Sequence, residues 1–334
     1  MKLRRILSLA LLDLGLSVAG SSILRAQNAA DTLQQQIGLR TAVPPPEAAT
    51  TASSADLGDI EPVQRYPKPA MLTFSTLQEY FHTDNVFYTH RGDLASSAYL
   101  GGYSGSYVPY SLRDWTPRVT LQYNMVRYDA VTAGNFDNEN GLFSSQYVFG
   151  GDRAWTWTAA VNLARFTQAS SSTDHEFYKE VVYDNQVAHT NKLMDNVPLF
   201  LITAFDVAYH QTTPDTYTRI DNTLSVNLTW TPVSEVSLSL YARPSYRIYF
   251  NDTPDMNESS FQDTTGTIYP ATHVGGQHDR ADFNIMSGFD VTYTPIKYFS
   301  VSADFNTAED YSNNSGLSYD QMSPGISLTG TYKF

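Results

Sequence analysis

Charged side chains recur at even spacings in one segment, residues 217–250, and such spacing can place them on a common wall. Arg219 and Asp221 are two positions apart, and Arg243 and Arg247 are four positions apart. In an extended strand, residues separated by even numbers point to the same side. A wall that carries several guanidinium groups attracts anionic solutes, as rings of charge do in pores. The segment therefore predicts a charged surface able to attract small anions.

Carboxylates elsewhere in the chain support a second interpretation of these arginines. Unpaired charges held away from water are costly, so arginines that face an enclosed space need anionic partners. If carboxylates neutralise them, the charges fill an interior and attract nothing. Both interpretations stay open here, and a basic stripe facing an acidic stripe would satisfy both. The candidate partners are Asp206, Asp282, Asp290 and Asp304.

The residue patterns typical of catalysis and metal binding are missing from the sequence. The seven histidines form no His-Glu-x-x-His pair, and no serine follows a histidine by two positions. The segment Gly102-Tyr103-Ser104-Gly105 lacks the glycine spacing of a nucleophile elbow. We therefore expect no enzyme activity, no metal and no cofactor.

The charged residues belong to two segments that alternate apolar and polar residues. In Tyr217–Thr231, apolar residues such as Leu224 and Leu228 alternate with polar ones, and Glu235–Phe250 repeats the pattern. This period of two predicts two β-strands joined by a short turn. Pro244 lies inside the second strand, where it removes a hydrogen-bond donor, so we expect a β-bulge there.

Reflecting this hairpin about Val233 predicts which charged side chains meet. It places Arg219 opposite Arg247, and Thr223 opposite Arg243, with Asp221 diagonal to both arginines of the second strand. All of them would point to the polar side.

From Met71 onward the same alternation predicts about twelve strands. Thr-Pro links follow or precede several of them, as in Trp115-Thr116-Pro117, Thr231-Pro232-Val233-Ser234 and Thr294-Pro295-Ile296-Lys297. These short links alternate with longer stretches, so the strands are expected to run antiparallel, with one end carrying turns and the other carrying loops. Alternation is weakest at 142–149 and 176–196, which leaves ten to fourteen strands open. The predicted loops are 83–95, 129–141, 168–175, 251–279 and 309–321, and 251–279 is long enough to fold inward and constrict a pore.

Composition favours a membrane sheet over a soluble one. Only 16% of residues are charged and 13% are aromatic, and the polar side of the strands carries mostly Ser, Thr, Asn and Tyr. A soluble β-sandwich or β-helix, the alternative, normally carries Lys and Glu on its solvent face. No apolar run of about 18 residues follows the first 25 positions, which excludes membrane helices there. A sheet in lipid must close on itself, and the residues predicted to form its aromatic girdle are Trp115, Trp155, Trp157, Trp230, Tyr293 and Tyr332.

The first 69 residues differ from the rest of the chain. Lys2, Arg4 and Arg5 precede an apolar stretch, which predicts a secretory signal peptide over 1–26, with an N-terminal membrane anchor as the alternative. Residues 27–69 are rich in Ala, Gln, Thr and Pro and predict a flexible leader. The chain has no cysteine for disulfides, and its net charge of −13 disfavours nucleic acid as a partner.

Two stretches resemble known outer-membrane proteins. Alternation from Ser323 to the terminal Phe334 is similar to the last strand of β-barrel proteins of Gram-negative bacteria. In those proteins the terminal aromatic residue belongs to a signal read by the barrel assembly machinery, so the resemblance implies that role for Phe334. The segment 77–87, which ends in Asp84-Asn85-Val86-Phe87, resembles the opening strand of putative β-barrel porins.

Pattern and resemblance together give one interpretation. We expect an all-β, transmembrane, antiparallel up-and-down barrel over residues 70–334, in the outer membrane of a Gram-negative bacterium. The resemblance implies a porin-like channel through which small hydrophilic solutes diffuse passively, with outer-membrane lipids as the surroundings. The alternative is a non-conducting barrel with a role in adhesion, surface structure or docking of an export complex.

Overall fold

The computed structural model describes most of the chain from residue 71 onward. It covers residues 71–86, 95–112, 114–150, 153–169, 175–194, 197–251, 256–258, 261–262, 268–269, 272–274, 279–313 and 318–334. The predicted signal peptide over 1–26 and leader over 27–69 lie outside the described residues, as does most of the loop 251–279 that was expected to constrict the pore.

Twelve long strands and four short ones make up the described structure. Helical structure in this part of the chain is limited to two 3-10 turns, Thr132–Gly134 and Asp215–Tyr217, and none of it has the length or apolar character of a membrane-spanning helix. The strands are β1 (Leu72–Thr83), β2 (Ser96–Tyr107), β3 (Trp115–Tyr128), β4 (Phe136–Phe149), β5 (Trp155–Gln168), β6 (His175–Met194), β7 (Val197–Thr213), β8 (Arg219–Val233), β9 (Val236–Tyr249), β10 (Met256–Glu258), β11 (Phe261–Gln262), β12 (Ile268–Tyr269), β13 (Thr272–Val274), β14 (Ala281–Ile296), β15 (Phe299–Ser312) and β16 (Tyr319–Lys333).

The twelve long strands form one closed antiparallel barrel. Going round it, the order is β1, β16, β15, β14, β9, β8, β7, β6, β5, β4, β3 and β2, which pairs again with β1. The closing seam pairs Thr73 with Lys333 at one end and Phe81 with Gly325 further along. Because the sheet closes, no strand is left with an unpaired edge. The predicted all-β barrel of about twelve strands is confirmed.

Alternation along each strand gives the barrel two chemically different faces. On β9, Leu240 is 58% exposed whereas its neighbour Tyr241 is buried, and the same contrast separates Ile248 from Arg247. Across the barrel the exposed side carries Leu, Ile, Val, Phe, Tyr and Trp. A closed barrel with an apolar outer belt and a polar interior is stable in a lipid bilayer. The chain is therefore built as a transmembrane β-barrel, the architecture of outer-membrane proteins.

Short turns lie at one end of the barrel and longer connections at the other. Two-residue turns join β8 to β9 and β14 to β15 at the same end as the first described residue and the C-terminus, where the Met71 N–H donates to the Phe334 carbonyl at 3.0 Å. In outer-membrane barrels this is the periplasmic end. The Thr-Pro links all lie there, as the sequence predicts. We call the opposite end the external end.

Two predictions about loops and strands are wrong. The predicted loop 129–141 ends earlier, because β4 begins at Phe136, and the short external connection 214–218 was missed. The run from Asp137 to Asn140 has the polarity of a loop. It forms a strand because Asn138 and Asn140 face the polar interior, while the charged residues Asp137 and Glu139 lie on the outer face at the external rim. The doubtful stretch 176–196 is largely strand β6, where Asn185 on the outer face interrupts the apolar alternation.

The predicted register of the β8–β9 hairpin is wrong by two residues. Arg219 pairs with Tyr249 and Asp221 pairs with Arg247, rather than Arg219 with Arg247. The turn lies between Val233 and Val236, and a register shift between Trp230 and Val233 accompanies it. A shift of two residues keeps every side chain on its predicted face but changes which charges meet.

Pro244 does not cause the expected bulge. Its pairing with Ile285 of β14 belongs to an unbroken register, and the β8–β9 register is the same on both sides of it. The β8–β9 ladder instead lacks the pairs of Leu224 and Ser225, the residues opposite Pro244 and Arg243. The β8–β9 ladder therefore loses two residue pairs at the proline, and neither strand contains an extra residue there.

We expect Pro244→Val to stabilise the barrel by about 1 kcal/mol, because valine supplies the missing N–H for a ladder hydrogen bond. The side chain stays on the lipid-facing side, where valine is favourable. Urea unfolding of the variant in phospholipid vesicles measures the change. A lower unfolding free energy than that of the unmodified protein would show that the proline is accommodated without loss.

Candidate functional site

A network of ion pairs lies on the inner face near the external end, centred on Asp221. Its carboxylate accepts from Arg219 Nε at 2.9 Å, and its second oxygen lies 3.3 Å from His210 Nε2 and 3.7 Å from Arg247 Nε. The register brings these groups together, since Asp221 pairs with Arg247 and His210 pairs with Arg219. Arg219 is only 1% exposed, so this charge depends on its partners.

The network continues to both sides of Asp221. On β6, Glu180 lies 3.2 Å from His210 Nδ1 and also accepts from the Tyr178 hydroxyl at 3.1 Å. On β15, Asp310 lies 3.8 Å from Arg247 Nη1. The network therefore joins side chains of five strands, β6, β7, β8, β9 and β15. It also passes across β14, which lies between β9 and β15 and contributes no side chain to these contacts.

A separate bidentate ion pair lies on the same wall at the start of β14. Arg280 donates to the Asp282 carboxylate from Nη2 at 2.6 Å and from Nε at 3.2 Å, a geometry that gives strong pairing. Its guanidinium carbon lies 4.1 Å from the centre of the Tyr249 ring, close enough for a cation–π contact. Burial by itself would lower the pKa of Arg280, but its interactions with Tyr249 and Asp282 outweigh burial and raise the pKa, so Arg280 stays charged.

The predicted charged residues thus occur together only in part. Arg219, Asp221 and Arg247 meet directly, but Arg243 lies apart, donating from Nε to Ser225 at 3.1 Å. Asp282 pairs with Arg280, a residue that the sequence analysis missed. Glu180, His210 and Asp310 were missed too, although each has the inward parity of its strand, which could have indicated them. Of the other predicted partners, Asp206 lies on the inner face of β7 opposite Thr223, and Asp290 and Asp304 lie away from the arginines in a cavity described below.

An apolar cluster fills much of the remaining external half of the barrel. Phe166 contacts Phe136 and Tyr178 with ring centres 6.1 and 5.5 Å apart, and Tyr178 in turn contacts Tyr217 at 6.3 Å. Tyr217 reaches the cluster from the β7–β8 connection, and burial raises its pKa to about 12, so its hydroxyl stays neutral. The sequence predicts a polar inner face, and this prediction is wrong for the part of the wall that the apolar cluster occupies. Other members of the cluster are Phe81, Val86, Ala98, Leu100, Val126, Tyr128, Val131, Ala164, Ala308 and Tyr319.

The periplasmic half of the interior contains a polar cavity of about 260 Å³. Asp290 of β14 and Asp304 of β15 pair directly across the two strands and both line it. The Thr292 hydroxyl donates to Asp290, and the Asn306 amide donates to Asp304, each at 2.8 Å. The other lining residues are Leu77, Asn227, Ser239, Tyr241, Ser300, Ser302, Ser327 and Thr329.

Along β9, Tyr241 lies between Ser239 of the cavity and Arg247 of the ion-pair network. Its ring crosses Gly288, the residue opposite it on β14, and its hydroxyl donates to Asn306 on β15. A Cβ on Gly288 would lie 2.3 Å from the Phe305 carbonyl oxygen and 2.7 Å from the Tyr241 hydroxyl. Only glycine leaves space for this crossing.

The outer face carries aromatic side chains toward both ends of the strands. All six predicted girdle residues lie near the periplasmic ends, where rings bridge the apolar and polar parts of a membrane. A second band near the external ends, which the sequence analysis missed, includes Tyr80, Tyr246, Phe283 and Tyr311.

An ion-pair cluster lies at the external rim of the outer face. Arg165 contacts Glu176 at 2.9 Å and Glu139 at 3.5 Å, and Lys179 contacts Glu176 at 2.6 Å. Among the residues with described side chains, no group of three potential metal ligands comes together.

Comparison with known proteins shows similarity in fold only. No family model and no curated protein sequence matches the chain. An outer-membrane channel from Pseudomonas putida F1 shares 10% identity at a TM-score of 0.49, over 83% of this chain and 99% of that one. The beta domain of the Bordetella autotransporter Brka shares 10% identity at a TM-score of 0.42, over 79% and 100% of the two chains. The KdgM porin in complex with disordered oligogalacturonate shares 8% identity at a TM-score of 0.37, over 77% and 99%.

Proposed function

We propose that the barrel is a channel through which small hydrophilic solutes diffuse passively across the outer membrane. The observation that carries this proposal is the polar cavity in the periplasmic half, which is lined by hydroxyls, amides and two carboxylates. Such groups replace the hydrogen bonds that a solute makes with water. We assign no reaction and no cofactor to the barrel.

A polar route continues from this cavity along one wall. Above Asn227 on β8, the Thr223 hydroxyl donates to Ser245 of β9 at 3.0 Å, and the next inward pair is Asp221 with Arg247. The apolar cluster occupies other strands, chiefly β2 to β6. A solute would therefore pass beside the β8–β9 wall and reach the ion-pair network, whose side chains are nearly all buried.

The non-conducting barrel remains the second candidate, and a specific observation favours it. The external half is filled by the apolar cluster and by ion pairs whose side chains are nearly all buried. A barrel closed in this way could serve adhesion, surface structure or docking of an export complex without a through-path.

Conductance separates the two candidates. We expect purified protein in a planar lipid bilayer to give discrete current steps, and Arg247→Ser to give larger steps, because it removes a long side chain from the ion-pair network on the proposed route. Arg165→Ser is the matched control, since Arg165 lies on the outer face. If inserted, folded protein gives no steps with or without Arg247, the channel proposal fails and the non-conducting barrel is favoured.

We also propose that the barrel assembly machinery recognises the last strand. Phe334 is 64% exposed, and its ring lies 4.6 Å from that of Tyr332 and 6.1 Å from that of Phe74. The terminal aromatic is thus presented on the lipid-facing side of the closing seam, where a partner could contact it before closure.

A further inference from the structure

We propose that the channel selects cations over anions, and that Asp290 and Asp304 on the inner wall of its periplasmic half set this preference. The inference rests on the proposed channel function and adds the class of solute. It reverses the anion attraction that the arginines suggest when the sequence is considered alone.

The first observation is the composition of the cavity wall. Asp290 and Asp304 face each other across β14 and β15 and are the charged groups of the lining. Among the described residues that line the cavity, none is Lys, Arg or His. Like charges placed directly opposite each other repel, and this repulsion is reduced when cations accumulate beside the pair.

A third carboxylate extends this acidic wall. Gly325 of β16 lies between β15 and β1, and a Cβ built on it would lie 2.9 Å from Glu79 Oε1 and 3.1 Å from Asp304 Oδ2. Both carboxylates therefore converge on the space that glycine leaves. Negative charge follows the inner wall from β14 across β15 and β16 to β1.

Three of the inward arginines do not offset this charge, because carboxylates pair with them in the external half of the barrel. Arg219, Arg247 and Arg280 lie in the external half, each within 4 Å of a carboxylate oxygen. Four other cations have the inward parity of their strands but do not line the cavity: Arg118 on β3, Lys192 on β6, Arg243 on β9 and Lys333 on β16. The lining of the cavity itself therefore carries a negative field.

The chemistry of the lining indicates which cations are preferred. Oxygen donors from carboxylates, hydroxyls and amides suit alkali ions and small ammonium ions. Asp290 and Asp304 each accept a hydrogen bond from a neighbouring side chain, which holds the carboxylate in place. A fixed charge of this kind attracts passing ions without enclosing them, as conduction requires.

The reversal potential in a KCl gradient across a planar bilayer tests the proposal. We expect the unmodified protein to favour K⁺ over Cl⁻ by roughly tenfold, because a charged cleft concentrates counterions to about that extent. The double variant Asp290→Asn/Asp304→Asn keeps the shape and the hydrogen-bonding capacity of the side chains, and we expect its permeability ratio to fall toward one.

Asp320→Asn is the matched control, because Asp320 is exposed on the outer face of β16. It makes the same chemical change outside the interior, and we expect its permeability ratio of K⁺ to Cl⁻ to equal that of the unmodified protein. The inference would be overturned if the currents of the unmodified protein were unselective or favoured Cl⁻. It would also be overturned if the permeability ratio were unchanged in the double variant. Either result would leave the channel proposal standing. Absence of any current from inserted protein would overturn both.

Discussion

Replacing Asp221 with alanine should destabilise the barrel by about 3–5 kcal/mol, the loss expected when one partner of a buried ion pair is removed. Asp221 contacts Arg219, His210 and Arg247, and all four side chains are nearly excluded from water. Without the carboxylate, Arg219 keeps its charge because a guanidinium does not lose its proton. Urea unfolding in phospholipid vesicles measures the free-energy change.

A second substitution tests whether the loss of stability comes from the buried charge of Arg219 after its Asp221 partner is removed. Arg219→Met in the Asp221→Ala background removes the buried cation and should recover part of the stability, because a buried pair can be replaced by apolar residues at little cost. Asp320→Ala on the outer face is the control and should change stability by less than about 0.5 kcal/mol. An unfolding free energy for Asp221→Ala equal to that of the unmodified protein would contradict the role given to the network.

Gly288→Ala should be nearly as damaging, with a loss of about 3 kcal/mol, the upper part of the range for overpacking. The added Cβ would lie 2.3 Å from a backbone oxygen, which no side-chain rotation can relieve. The Tyr241 crossing and its hydrogen bond to Asn306 would be displaced with it. The temperature at which the folded barrel loses its fast mobility on denaturing gels reports the effect.

Gly141→Ala is the matched control for this glycine. Its Cβ would point to the outer face and meet only Leu121 Cδ2, at an ordinary contact distance of 3.9 Å. We expect it to be neutral or to stabilise by about 0.5 kcal/mol, because alanine restricts the unfolded chain. Equal losses from the two substitutions would show that strand propensity, rather than the crossing of Tyr241, explains the cost.

Tyr241→Phe isolates the hydrogen bond and keeps Gly288. It removes only the hydroxyl that donates to Asn306, so we expect a loss of about 1 kcal/mol. This variant should assemble even if Gly288→Ala does not.

The strands and their two faces could be predicted from the sequence because alternation is a local property. Each residue on β8 and β9 lies on the predicted face, and the Thr-Pro links marked one end of the barrel correctly. Polar residues on a strand were harder to recognise. Asp137 and Glu139 are typical of a loop, and only the contacts of Asp137 with Arg127 and of Glu139 with Arg165 show that they belong to the rim of a strand.

The candidate site could be predicted only in outline, because pairing between strands depends on register. A two-residue error in one hairpin left Asp221 facing the wrong neighbour, although its face was correct. Partners such as Glu180 and Asp310 come from strands far apart in sequence, and no local pattern joins them. The apolar cluster was missed for the same reason, since residues such as Phe166 have the inward parity that was expected to be polar.

The seam between β1 and β16 limits the order in which the molecule can form. The hydroxyls of Ser75 and Thr331 meet at 3.3 Å across 256 positions of the chain. Contacts of such long range make folding slow, and this seam cannot form until the last strand has arrived. Until then the growing sheet presents two open edges able to capture other chains. A truncated product that lacks β16 should therefore accumulate as aggregate or be degraded, and the time spent waiting for the final strand is when the protein most needs chaperones.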